Sequence, residues 1–259
     1  MLAPSGGASV QATIPPPSPR LHTVLQDDDL SLFSPGDLSR YMRTLRWLGI
    51  DTLRVSAEWR REVADPDARQ PPPGFLVDRP ASYTAPGMQL LDRAVRAAAS
   101  SGLQVMIDPA FGVPAWATRA RRASNTDIDP DLVARWEEML ARRYSGDYVP
   151  RGEQQPLPRA AMFTLWNEPN NYAYLKPQWR DGVAVSADWY RRLVSLAYPL
   201  VKQASPTASV LIGNTSEVGV DHGSVRDGAS PGRRLCPPSL RAVCATLDPV
   251  GRRASGFGP

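Results

Sequence analysis

The feature that most constrains this chain is a repeat of pattern rather than of residues: short apolar runs alternate with stretches of helical period. The first run covers residues 21–26. A helix start follows at Ser34-Pro35-Gly36-Asp37, with Leu38, Tyr41, Met42, Leu45 and Leu48 on one face and Gly49 as its stop. Residues 51–56 read as a second strand. Beyond a Pro-rich insertion over residues 65–86, residues 88–101 read as a helix ended by Gly102, and 103–108 as an apolar strand. The unit recurs with a helix over 130–144 and a strand over 160–166, then with a helix over 187–204 and a strand over 209–213. Strand–helix alternation of this kind builds a parallel sheet covered by helices.

Two parallel architectures compete, and the exit of the first strand separates them. A dinucleotide-binding sheet carries glycines there to let a phosphate approach the backbone, whereas this chain has Gln26-Asp27-Asp28-Asp29. The expectation is therefore an α/β fold of the (β/α)8 barrel type, with the first five βα units apparent. At 259 residues and 42% hydrophobic content, one large domain over residues 21–259 is expected. Residues 1–20, rich in Pro, Ser, Gly and Ala, read as a flexible leader without the basic and apolar regions of a signal peptide. A barrel needs eight strands, and residues 214–259 lose the pattern apart from a short helical stretch at 240–247, so the sequence reads as C-terminally truncated.

Charge excludes more than it suggests. The formal charge is +4, but the cations are Arg apart from Lys176 and Lys202, and they are interleaved with acids and apolar residues as on solvated helix faces. No nucleic-acid partner is expected. No run of about 18 apolar residues occurs, so no membrane partner is expected either. Cys236 and Cys244 are spaced so that either a local disulfide or two free thiols would fit. No cofactor and no metal site is expected.

In a βα barrel the groups that do chemistry sit where strands end at the carboxyl face. The fourth run ends in Trp166-Asn167-Glu168-Pro169, an acid beside an amide, locked by a proline directly after a buried strand. This run resembles the acid/base signature of the clan A glycoside hydrolases, in particular the branch that includes families 5 and 39. Three further stretches are similar to the same group: Leu53-Arg54-Val55-Ser56, Phe111-Gly112-Val113-Pro114-Ala115-Trp116-Ala117, and Val24-Leu25-Gln26-Asp27-Asp28.

The resemblance implies retaining hydrolysis of a β-linked glycoside, with an oligo- or polysaccharide or smaller glycoside as partner. It implies Glu168 as the group that protonates the leaving oxygen and then activates water, and Asn167 as the contact to the sugar 2-hydroxyl. It further implies Arg54, Trp116 and Asn170 as substrate-site residues, Arg54 by holding the nucleophile carboxylate ionised. A retaining site needs a second carboxylate about 5–5.5 Å from the first, which the clan carries at the end of its seventh strand. That nucleophile is expected beyond Pro259, with Glu217 as the fallback on this chain. The alternative is a carbohydrate-binding remnant without turnover, and an Arg-rich interaction protein ranks below both. A secreted location is the expectation, with a cytoplasmic one as alternative.

Overall fold

The computed structural model describes residues 21–34 and 36–216. The strands and helices are β1 (Val24–Gln26), α1 (Leu38–Trp47), β2 (Thr52–Ala57), α2 (Trp59–Glu62), α3 (Ala85–Ser100), β3 (Gln104–Pro109), α4 (Pro130–Arg143), β4 (Met162–Thr164), β5 (Trp179–Arg180), β6 (Val183–Ala184), α5 (Val185–Ala204) and β7 (Ser209–Leu211). Single helical turns at Asp29–Phe33, Pro80–Ser82 and Ala115–Ala117 complete them. Glu217, Cys236, Cys244 and the stretch 240–247 lie outside the described residues.

The main sheet has the order β1-β2-β3-β4-β7, and every neighbouring pair is parallel. Strands thus sit side by side in chain order with one helix or more between each pair, which is how a (β/α)8 barrel is built up. A doubly wound sheet would reverse its order at a switch point. All five expected strands are present, in the expected order.

Local chemistry explains where the helices start and stop. Asp37 caps α1 by accepting from the Arg40 N–H at 3.0 Å, and Gly49 ends it at a φ of +86°. Asp129 caps α4 by accepting from the Asp131 and Leu132 N–H groups, Pro130 takes the first turn, and Arg142 and Arg143 sit at the negative end of the dipole. Gly87 is required where α3 begins, because a Cβ there would lie 2.3 Å from the Glu62 carbonyl oxygen.

Packing beneath the Pro-rich insertion is aromatic. Trp59 stacks on Trp136 at 5.3 Å and meets the edge of Trp116 at 5.0 Å, while its Nε1 donates to Tyr83 Oη, which donates onward to the Val77 carbonyl. These contacts fasten residues 65–86 to the layer between sheet and helices. Between α3 and α4, the guanidinium of Arg143 is buried and forked onto both oxygens of Asp92, where Tyr144 Oη also donates. The fork satisfies charges that burial would otherwise make costly. No helix among the described residues is long and apolar enough to cross a membrane.

Candidate active site

Alternation along the strands sorts polar from apolar side chains before any loop is considered. On β2, Leu53, Val55 and Ala57 are buried toward the helices, while Thr52, Arg54 and Ser56 occupy the opposite face. Register carries that face across the sheet: Gln26 pairs with Arg54, and Ser56 with Asp108. At the carboxyl ends the strands therefore converge on polar groups, so these strands are not apolar on both faces.

Asp108, at the end of β3, organises the cluster. It is fully buried, pairs with Arg54 Nη2 at 2.8 Å, and accepts from Thr164 Oγ1 of β4 and from Asn214 Nδ2 beyond β7 at 3.2 Å. Burial pushes its carboxyl above the ordinary range, and the Arg54 charge and the Thr164 hydroxyl pull it back. The same Arg54 nitrogen donates to Asn167 Oδ1 at 2.9 Å, and Asn214 Nδ2 donates to that oxygen at 3.1 Å. The Asn167 amide oxygen is thus fully engaged, which leaves its NH2 end to donate elsewhere.

Glu168 follows with its backbone in the left-handed region, φ +43°, and Trp166 before it has φ +61°. Both conformations are strained for residues other than glycine. Hydrogen bonds hold them: the Glu168 N–H donates to the Asn214 carbonyl at 3.0 Å, and the Trp166 ring is buried against the edge of Trp189. The carboxylate is half-buried and accepts from Asn171 Nδ2 at 2.9 Å through one oxygen. Tyr174 lies close enough that the charges of Glu168 and Asp108 raise its hydroxyl pKa, after burial as the main cause.

The structure brings Arg54 of β2 onto Asn167, beside Glu168, after β4, with Asp108 of the intervening β3 paired to Arg54. It does not bring Trp116 or Asn170 to them as sugar contacts. Trp116 is a core residue, 4% exposed, packed between Trp59 and Phe75 and bordering a separate cavity of about 600 Å3 on the side of the insertion. The turn at Ala115–Ala117 directs its ring inward. Asn170 is fully buried with both ends of its amide committed, donating to the Ser216 carbonyl at 2.8 Å and accepting from the Ser216 N–H at 2.9 Å. It ties the loop after β4 to the segment after β7.

Four participants were not singled out from the sequence. Asp108 and Asn214 each follow an apolar run and were visible as polar residues at strand exits. Tyr174 has no periodic signal. Glu137, fully buried on α4, lies behind the Trp166 backbone; burial pushes its carboxyl well above the ordinary range, the Trp166 N–H opposes this, and the Asp108 charge adds to it. Among the described residues, no group of three or more His, Cys, Asp or Glu side chains could hold a metal ion.

No protein-family model matches the sequence, and no curated protein matches it. Solved structures do resemble the chain. A family 39 glycoside hydrolase from the gut symbiont Bacteroides cellulosilyticus WH2 is 16% identical with a TM-score of 0.44, over 69% of this chain and 29% of that one. GH5_18 from Streptomyces cattleya, solved with GlcNAc, is 21% identical with a TM-score of 0.45, over 76% of this chain and 44% of that one. The endoglucanase Cel5A of Pseudomonas stutzeri is 13% identical with a TM-score of 0.45, over 73% of this chain and 49% of that one. The chain spans less than half the length of each of these three.

Proposed function

We propose that this chain carries the acid/base half of a retaining β-glycoside hydrolase site, with Glu168 as the proton donor and later the base. One observation supports this above all: Arg54 joins Asp108 to Asn167, so the residue beside Glu168 is fixed by a charge that is itself anchored on a buried carboxylate. Asn167 is then oriented with its NH2 free to donate to a sugar hydroxyl. The strengthening of such a bond as positive charge develops on the ring would lower the barrier.

Glu168 has one oxygen held by Asn171, and in its acid form the other would donate toward a leaving-group oxygen. Cleavage of the glycosidic bond leaves the sugar on a second carboxylate; Glu168, now ionised, takes a proton from water, and that water displaces the carboxylate. Asp108 is a poor candidate for the second role, being fully buried and engaged by Arg54, Thr164 and Asn214. We assign the nucleophile to a carboxylate outside the described residues, and Glu217 is the first to test. Without one, the same groups would bind sugar and not turn it over.

The test is Glu168→Gln, assayed on an unactivated disaccharide and on an aryl glycoside with a good leaving group. General acid help is worth about 10²- to 10⁴-fold, so hydrolysis of the disaccharide should fall by that factor. Glycosylation by the aryl substrate, whose leaving group needs little protonation, should fall less. Equal losses on both substrates would refute the assignment.

A further inference from the structure

A cavity of about 970 Å3 lies along the outer face of α3, and none of the candidate-site residues borders it. Gln89, Arg93, Arg96 and Ser100 recur at helical spacing and so share the stripe of α3 that forms one wall. The end of α4 and the segment after it form another, with Arg143, Tyr148 and Arg151. Nothing in the acid/base chemistry requires this cavity.

Its charge is one-sided. Arg93, Arg96, Arg143 and Arg151 border it against Asp92 and Glu153 alone, four positive charges to two negative, for a net +2. Arg143 gives Nε and Nη2 to Asp92, and Arg96 gives Nη2 to Glu153. Arg93 and Arg151 are left without a carboxylate among the described residues. Arg93 donates only through Nη2, to the Leu32 and Ser34 carbonyls, and the exposed Arg151 side chain has no hydrogen bond or ion pair. Arg143 also has an unfilled edge: Nη1 is buried without an acceptor, with the Tyr148 ring 5.2 Å from the guanidinium carbon. A buried donor left unpaired is unfavourable. The rest of the chain brings no countercharge, since residues 1–20 contain Arg20 and no acid, and residues 217–259 carry four acids against six arginines.

We infer that this cavity is a binding site for an organic phosphate monoester, separate from the proposed acid/base site and independent of it. A phosphate monoester carries about −1.5 to −2 charges near pH 7 and presents three acceptor oxygens, so it balances the lining, whereas a single carboxylate supplies half the charge. Arginine suits that head group, because it keeps its charge at any working pH and its nitrogens bond phosphate oxygens in pairs. Arg93 and Arg151 supply the free nitrogens, and Arg143 adds its charge from the wall beneath Tyr148. The volume falls within the roughly 300–1,000 Å3 of sites for small organic ligands, so the head group does not fill it. Gln89 and Ser100 can bond hydroxyls of the remainder, and the half-buried Tyr148 ring can cover a flat face.

The experiment is calorimetric titration of the full chain at physiological salt with phenyl phosphate, glucose 6-phosphate, inorganic phosphate and benzoate. At least one ester should bind more tightly than inorganic phosphate, phenyl phosphate pointing to a flat organic group and glucose 6-phosphate to a hydroxyl-rich one. Benzoate, with the same ring and a single charge, should bind more weakly than phenyl phosphate. Arg151→Ala and Arg93→Met should each weaken ester binding about threefold to tenfold. Arg151 has no partner to lose, so that variant should melt with the wild type. Arg119→Ala removes a charge from the exposed loop after β3 and should leave ester binding unchanged. Excess glucose should not displace the ester, and Glu168→Gln should bind it like the wild type. The absence of ester binding, or equal affinities in Arg151→Ala, Arg93→Met and Arg119→Ala, would overturn the site. Benzoate binding as tightly as phenyl phosphate would overturn the preference for phosphate, and inorganic phosphate matching both esters would overturn the organic part. Displacement by glucose would put the ester in the acid/base cleft and overturn its assignment to this cavity.

Discussion

Glu62 is the place where pH should act most directly on the stability of this fold. Its side chain is buried at the end of α2, one oxygen accepts from Trp136 Nε1 at 2.7 Å, and the other has no partner. Burial pushes its carboxyl up to about 8, with the Trp136 hydrogen bond and the Arg143 charge only partly opposing this. In the unfolded chain the group titrates near its ordinary 4.5. The folded state therefore holds the proton more tightly. Stability from this group is fully present below pH about 4.5 and is lost as pH rises toward 8. At 1.36 kcal/mol per unit, the loss between pH 5 and pH 7 is about 2–3 kcal/mol. Glu62→Gln keeps the acceptor for Trp136 and removes the titration. Its stability relative to wild type should rise by that amount over those two pH units, measured by urea unfolding. In a domain of this size the corresponding relative change in Tm is about 4–12 °C. Parallel pH dependences in the two proteins would show that Glu62 is ionised when folded, and would refute the argument.

Two further substitutions probe the scaffold. Asp92→Ala strips the buried Arg143 guanidinium of its carboxylate and should cost about 3–5 kcal/mol in urea unfolding, whereas Asp92→Leu combined with Arg143→Met should recover most of that loss. Asn214→Gly retains the left-handed backbone at φ +43° but deletes the bonds to Asp108, Asn167 and the Trp166 carbonyl, for a loss of about 1–3 kcal/mol. Asn214→Ala should be about 1 kcal/mol worse, because alanine also pays for the backbone conformation; equal losses would show that the conformation costs nothing.

The strands were legible because the β2 and β3 segments are apolar enough to stand out against helices whose period is 3.6, and caps such as Asp37 and Asp129 marked where those helices begin. Strand ends were less so. Residues 160–166 read as one apolar run, yet pairing is confined to Met162–Thr164, since Trp166 turns into the left-handed region to present the next two residues. A hydrophobic pattern cannot register that turn. Trp116 is a related case: composition shows an aromatic residue in the loop after β3, and only the turn at Ala115–Ala117 decides that it faces the core while Phe111, five residues earlier, stays half-buried against Tyr174. The hairpin of β5 and β6 went unread although its signal was present. Asp181-Gly182 joins the two strands with φ +51° and +75°, the pairing a two-residue hairpin turn demands. Asn167 and Glu168, in contrast, stand out because an amide, an acid and a proline directly follow a buried strand and the run resembles a known acid/base signature, whereas Asp108 and Asn214 hold similar positions without such a motif.

Backbone strain in this chain is distributed in a way that supports the placement of the site. Among the described residues seven other than glycine have positive φ; Phe111, Trp166, Glu168 and Asn214 lie just beyond the carboxyl ends of β3, β4 and β7, while Arg121, Asp127 and Asp181 lie in other turns. Glycine would adopt each of these conformations without penalty, and the chain uses glycine for that purpose at Gly49 and Gly102, where two helices end, and at Gly213 beside Asn214. At the strand exits it places an aromatic ring, an indole, a carboxylate and an amide instead, at a cost of order 1–3 kcal/mol each. Hydrogen bonds from neighbouring exits absorb that cost: Asn214 bonds to the Asp108 carboxylate, the Asn167 amide and the Trp166 carbonyl, and accepts from the Glu168 N–H. Stability accounts for Trp166, whose ring is buried against Trp189, and for Asn214, whose amide bonds three neighbours, but gives little reason to prefer the half-buried Glu168 to glycine. The bend at Glu168 is therefore best understood as the means by which the proposed proton donor is held over the open end of the sheet.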